Sequence, residues 1–379
     1  MRPLGRLHRG LAVAARAVLS VLAASVLAGC ASVGYYWQSV DGHVRLMAAA
    51  RPVDDWLQDP ATPEAVKERL RLAARMRAFA SDQLRLPDNP SYRRYADLGR
   101  PAAVWNVVAA PPLSLTLRTW CFPVAGCVGY RGWFDEARAR AEGDALREQG
   151  LDVSVYPVPA YSTLGWLNAF GGDPLLNTFI QDTEAEIARL IFHELAHQVV
   201  YVRDDTAFNE SFATAVERLG VTRWLALQGS DAARHAHAQR QSRREQFRAL
   251  TQATRAALAR LYDEPAGPSG LKDTADQLAR KQDVLADFRA AYGRLRASWG
   301  LDPARPIPLD RWVADANNAT FGAQAAYDDL VPGFEALFLR EGQDWSRFYD
   351  SVKQLSRLPR PERHRRLQEF ANARSAHSP

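Results

Sequence analysis

The stretch LIFHELAHQVVYVRDDTAFNESFATAVE, Leu190 to Glu217, constrains this chain more than any other. At 3.6 residues per turn, Ile187, Ile191, Leu195, Val199 and Val202 predict one apolar stripe of a helix. His193 and His197, four apart, share roughly the opposite side, which Leu190, Val200 and Tyr201 make apolar as well. A helix apolar nearly all round is normally buried. Two buried imidazoles need partners, and a metal ion satisfies both at once. The spacing His193-Glu194-x-x-His197 fits that reading. Histidines at i and i+4 converge on one zinc ion, and the carboxylate beside the first points at the water to be activated.

Catalytic zinc takes three protein ligands and keeps a fourth position open. VRDDT reads as a turn, and FNESFATAVERLG as a second helix with Phe212, Val216 and Leu219 on its apolar side. Glu210, Thr214 and Glu217 form a stripe on the other side. A connection this short makes the two helices antiparallel, which can set Glu210 opposite the histidines. The plain alternative is that Glu210 and Glu217 face water. A structural site would take four protein ligands, often cysteine, and would not need Glu194. No third histidine or cysteine lies near, which favours an open site with one zinc per chain.

Around this segment the chain reads as α+β and predominantly helical. Apolar spacing predicts a helix from Pro63 to Leu86. β-rich stretches follow at Ala103–Ala110, Leu113–Val124 and Cys127–Phe134, then a helix stopped by Gly150 and a strand at Leu151–Val158. After Glu217 nearly everything is helical. Two long stretches, about 231–262 and 271–299, predict a hairpin, and shorter helices lie around 317–340, 345–355 and 361–373. The hairpin's arginines are interleaved with acids and read as a solvated face. His235 and His237, two apart, point in different directions and do not share a metal.

The formal charge is +5, but Arg2, Arg6, Arg9 and Arg16 precede residue 30 with no acid among them. Removing those four leaves +1, so a nucleic-acid partner loses its support. The same segment carries an apolar run of 12 residues, Ala17 to Ala28. A membrane-spanning helix needs about 20. Basic start, short apolar run and small residues therefore read as an export signal over residues 1–29, with one domain from 30 to 379. Leu27-Ala28-Gly29-Cys30 is similar to the bacterial lipobox, in which the cysteine is acylated, so Cys30 is the expected lipid anchor. Cys121 and Cys127 are the other two cysteines. In an exported protein such a pair forms a disulfide, although the spacing alone also permits two free thiols.

His193-Glu194-x-x-His197 with a glutamate on the next helix resembles the gluzincin type of zinc peptidase. NESFA (Asn209–Ala213) is similar to the segments that supply the third ligand there. The chain as a whole resembles the bacterial lipoproteins known as predicted aminopeptidases. The resemblance is carried by LAGC, YRRYADL, WCFPVAGCVGYRGWF, AYSTLGWL, DPLLNTFI, LIFHELAHQ and DTAFNESFATAVERLG, and more loosely by NNATF and AAYDDLVPGFEALF. It implies a zincin-like domain: a small sheet, the HExxH helix and the Glu helix, with the helical region behind. It implies His193, His197 and Glu210, rather than Glu217, as zinc ligands and Glu194 as general base. Thr214 or Glu217 would then hold a ligand histidine. An oxyanion donor is expected too, with Tyr327 and Tyr201 as candidates that packing alone would also explain. Ala160–Trp166, AYSTLGW, lies where such folds lay an extended substrate along a sheet edge.

The expected function is a lipid-anchored zinc peptidase acting on peptides, an aminopeptidase by resemblance. The Gly-x-Met-Glu-Asn stretch with which one large aminopeptidase family grips the substrate amine is missing, so a zinc endopeptidase is the alternative. A lipid-anchored binding protein with a structural metal is a third reading. Ala31 after the anchor, in place of Asp, implies by resemblance the periplasmic face of the outer membrane.

Overall fold

A computed structural model describes residues 34–122, 126–165, 168–264 and 274–375, with the side chains of 326–328 and 374–375 left aside. Residues 1–29 and Cys30 lie outside the described residues. The chain divides into two compact units, Met1–Ala49 and Ala50–Pro379. In the first, residues 34–49 form helix α1. Among the described residues no helix is long and apolar enough to cross a membrane.

The second unit opens with β1 (Arg51–Pro52), α2 (Val53–Gln58), α3 (Glu64–Leu84) and β2 (Arg94–Ala96). Then come β3 (Val104–Ala110), β4 (Trp120–Phe122), β5 (Gly126–Val128), β6 (Arg131–Trp133), α4 (Glu136–Glu148), β7 (Asp152–Val158) and β8 (Leu175–Leu176). The metal-motif pair follows as α5 (Glu184–His197) and α6 (Thr206–Gln228). The long hairpin is α7 (Asp231–Asp263) and α8 (Thr274–Ser298). The chain ends in α9 (Pro308–Ala314), α10 (Asn318–Asp328), α11 (Val331–Arg340), α12 (Trp345–Ser356) and α13 (Arg360–Ser375). Among the described residues helices make up 63% and no sheet exceeds three strands, so the class is α+β and predominantly helical.

The sheet that carries β7 to the site has the order β6-β3-β7, antiparallel throughout. β3 is its central strand because every residue of VWNVVAA is buried. Alternate side chains serve opposite faces. Trp105, Val107 and Ala109 pack with Ala139 and Leu146 of α4, whereas Val108 and Ala110 pack with Ala319 of α10.

Three expectations change. The predicted strand Leu113–Val124 shrinks to β4, because the side chain of Leu117 and the carbonyl of Leu115 lie against Gly322 of α10, and the Leu115 side chain packs on the hairpin core, rather than forming a ladder. The predicted strand Cys127–Phe134 is interrupted and belongs to two sheets. The helix predicted over 317–340 breaks between α10 and α11, where Pro332 enters at the start of the second. Cys121 and Cys127 are joined by a disulfide across the β4–β5 hairpin.

α5 begins with Glu184 and Glu186 in its first turn, where acids suit the helix dipole. It ends at His197, so Val199 and Val202 lie beyond the helix and not on its stripe. The side chain of Asn209 sets the turn that follows. It accepts from Val202 N at 2.8 Å and donates to Val202 O at 2.7 Å. Asp205 caps α6 by accepting from Phe208 N at 3.2 Å. This carboxylate is 1% exposed and is held by Arg363 and His364 of α13, each at 2.9 Å. Further along α6, Gly220 allows close approach to α3 and α5. A Cβ there would stand 2.8 Å from Leu84 Cδ1 and 2.9 Å from Phe192 Cδ2.

Candidate metal centre

α5 and α6 bring His193, His197 and Glu210 together, with one ligating atom of each within 4.8 Å of the others. All three are nearly buried, at 9%, 6% and 9% exposure. The Nε2 atoms of the two histidines are 3.2 Å apart, and Glu210 Oε2 lies 3.3 Å from His193 Nε2 and 3.8 Å from His197 Nε2. Tetrahedral zinc with bonds near 2.0–2.1 Å separates its ligands by about 3.3 Å. The donor set and its spacing therefore fit a zinc-sized divalent ion.

Glu217 lies two turns beyond Glu210, and its Oε2 is 2.9 Å from His193 Nδ1. With Nδ1 engaged by the carboxylate, Nε2 is the ring nitrogen that faces His197 and Glu210. Arg189 braces the same carboxylate, Nη1 to Oε2 at 3.1 Å. His197 has no such support, since its Nδ1 is buried without a hydrogen-bond partner. Thr214 is buried and forms part of the wall of a cavity of about 300 Å³, together with His193, Glu194 and Glu217.

Burial dominates the electrostatics. It pushes the Glu194 carboxyl up to about 7, helped by Glu210 and Asp173 and opposed by His193. Burial would lower His193, but Glu210 and Glu217 overturn it and raise that imidazole to about 10. His197, with less help, is lowered by burial to about 4. Glu210 and Glu217 stay below the ordinary carboxylate value despite burial, the first through both histidines and the second through Arg189 and His193.

Of the residues singled out from sequence, Tyr201 sits just past α5, where burial and the charge of Glu210 raise its phenol. The side chain of Tyr327 is outside the described residues. β7 is an edge strand, but residues 159–163 after it are irregular. Pro157 and Pro159 supply no N–H for an added strand, and the Pro159 carbonyl accepts from Thr178 Oγ1.

Three groups escaped the sequence reading. Arg189 lies one turn before His193 at i, i+4, a spacing that could have revealed it. Tyr130 and Asp173 come from distant loops, and no local pattern announces them. Burial and then the charge of Glu210 raise the Tyr130 phenol. Burial likewise raises Asp173, against hydrogen bonds from Thr163 and Ser162.

A nearly buried His-His-Glu group with a further carboxylate, Glu194, beside it could hold a metal ion. The comparisons define the family. Residues 34–367 match the family described as "Putative aminopeptidase", and the chain belongs to it. That membership supports a peptidase with peptide substrates. Neither a curated protein nor a solved structure matches the chain.

Proposed function

We propose that this chain is a zinc-dependent peptidase in which His193, His197 and Glu210 hold the ion and Glu194 is the general base. The observation that carries the reading is the convergence of those three donors at separations suited to tetrahedral zinc. When bound, zinc supplies Lewis-acid polarisation of the scissile carbonyl and makes water acidic enough to attack at neutral pH. Glu217 orients His193 and fixes its tautomer through the 2.9 Å contact to Nδ1. Thr214 shapes the cavity wall beside it. Glu194 takes the proton of the attacking water and returns it to the leaving amine, a task suited to a buried carboxylate beside the three donors. Tyr201 and Tyr327 are the tyrosines proposed to steady the developing oxyanion.

The same proposal covers the N-terminus. Residues 1–29 direct export, Cys30 carries the lipid, and the domain from residue 30 faces the periplasm from the outer membrane. The Cys121–Cys127 disulfide supports export, because such bonds persist in oxidising compartments.

Zinc content of the purified protein tests the centre. One zinc per chain, lost in Glu210→Ala and retained in Glu217→Ala, is the expected result. Peptides with free and blocked N-termini then separate aminopeptidase from endopeptidase action. Zinc-free wild-type protein after reconstitution would overturn the reading.

A further inference from the structure

Helix α1, residues 34–49, turns an apolar side outward. Trp37 is 71% exposed, Val40 59%, Val44 57% and Tyr36 43%. These four are half of the exposed large apolar side chains among the described residues. The others, Phe170, Leu227, Leu278 and Leu339, lie one to an element, as scattered apolar residues do on most protein surfaces. At 3.6 residues per turn, Tyr36, Val40, Val44 and Trp37 fall within an arc of about 100°. Tyr35, Gln38, Gly42 and Leu46, on roughly the other side, are buried. A surface helix ordinarily gives its polar side to water. In α1 the carboxylate and guanidinium groups are those of Asp41 and Arg45 alone, and they pair with each other at 2.9 Å.

An apolar arc of this make-up suits a lipid surface. Tryptophan and tyrosine concentrate at the membrane–water boundary, because each joins an apolar ring to a polar N–H or O–H. A helix lying in that boundary buries its apolar side about 5–10 Å deep. Position points the same way. Gly34 stands four positions after Cys30. Extended chain covers about 3.3–3.6 Å per residue, so α1 starts within about 14 Å of a lipid carried by Cys30. A single acyl chain holds a protein only marginally, and stable anchoring takes a second signal. With Asp41 and Arg45 offsetting each other, that signal is apolar area rather than charge. A second copy of the chain is the poorer occupant, since a stable protein interface takes about 20–30 residues a side.

We propose that the outward side of α1 lies in the headgroup boundary of a lipid bilayer, with Tyr36, Trp37, Val40 and Val44 immersed and the helix parallel to the membrane plane. The proposal rests on the reading of Cys30 as the lipid anchor and adds a second membrane contact to it.

The full chain is expressed in a bacterium, the mature protein is purified, and its mass reports whether Cys30 is acylated. The protein is then mixed with phosphatidylcholine vesicles. Trp37 emission is isolated as the difference between wild type and Trp37→Phe, with bromine on the acyl chains or iodide in the water as quencher. The comparison is a Val40→Asp, Val44→Asp double variant, read with and without Trp37. Both changes are at exposed positions, so its thermal midpoint should stay near the wild-type value. Bromine should quench Trp37 in the wild type, a result that stands even if the variant unfolds. The iodide quenching constant should be at least about fivefold lower in wild type than in the variant, as fits an indole about 5–10 Å deep. Shielding should persist at high salt, because no net charge draws the helix to the surface. Acylated protein whose Trp37 escapes bromine and meets iodide freely overturns the membrane contact and leaves the anchor standing. Bromine quenching in protein without acylation does the reverse. Shielding from iodide that needs no vesicles and grows with protein concentration makes a second copy the occupant and overturns the proposal.

Discussion

Between α5 and α6 the buried surface includes His193, His197, Asn209, Glu210, Thr214 and Glu217, whereas the core at the α7–α8 hairpin consists of Phe247, Leu258, Leu285, Phe288 and Tyr292. Both are helix pairs on a common scaffold, and both exclude water. The hairpin packs mainly by apolar area, with Gln277 donating to Leu261 O and Lys281 paired with Asp152 as buried polar contacts, so most of its stability follows its buried apolar side chains. The metal-motif pair buries polar groups that cost free energy unless each finds a partner. Its partners are local: Asn209 bonds the turn, Glu217 bonds His193, and Arg189 bonds Glu217. A pair built this way is specified by chemistry, and the hairpin by shape.

That contrast is open to attack by substitution, and the largest effect belongs to the polar pair. Glu194→Gln should lower kcat by about a thousandfold, within the range of general-base losses. Zinc content and the thermal midpoint should stay near the wild-type values. A parallel fall in all three would make Glu194 a structural residue and erase the distinction. Next is Asp205→Ala, which strips Arg363 of its buried partner and uncaps α6. It is expected to cost about 4 kcal/mol by urea denaturation.

The same carboxylate gives a pH test. Burial pushes Asp205 up, but His364, the Phe208 amide and Arg363 prevail and hold it below its ordinary value. A lowered folded-state pKa contributes stability that is full above about 3.9 and lost as pH falls through the folded value. The wild-type denaturation midpoint should therefore drop below about pH 4, and Asp205→Ala should show a shallower drop. Leu285→Ala in the hairpin core should cost about 3 kcal/mol in the same assay and leave zinc binding unchanged. Smallest is Arg255→Ala, which removes a half-exposed pair with Asp329 and should cost about 0.5 kcal/mol. If it rivals Leu285→Ala, the hairpin is held by charge after all.

Sequence made the two pairs legible to different depths. The apolar spacing of α3 predicted that helix because its burial follows the spacing, and the long helical stretches of about 231–262 and 271–299 became α7 and α8. β3 was legible as a β-rich stretch, apolar but for Asn106. In the site, His193, His197 and Glu210 converge as their spacing and the short turn predicted. The end of α5 was not legible. Apolar residues continue through Val202, but Gln198 is drawn to Asn89 and Asn168, and Asn209 clamps Val202, so tertiary bonds stop the helix. Leu115 and Leu117 alternate like a strand yet pack without a ladder beyond the single bond from Arg118 N to Ala109 O. Asp173 and Tyr130 reach the site only through the folded loops, which no window of sequence encodes.

Gly220 is where that dependence on fit has its sharpest consequence. Its missing methyl group is a clearance, and α6 is the arm it lets close. Phe192, which would strike a side chain at 220, immediately precedes His193. Any larger residue would act as a shim between α6 and α5. His193, His197 and Glu210 face one another at 3.2 to 3.8 Å, and a functional constellation tolerates errors of about half an ångström. The calibration of the candidate metal centre is thus held partly by an absence, ten residues along α6 from the glutamate it brings into place.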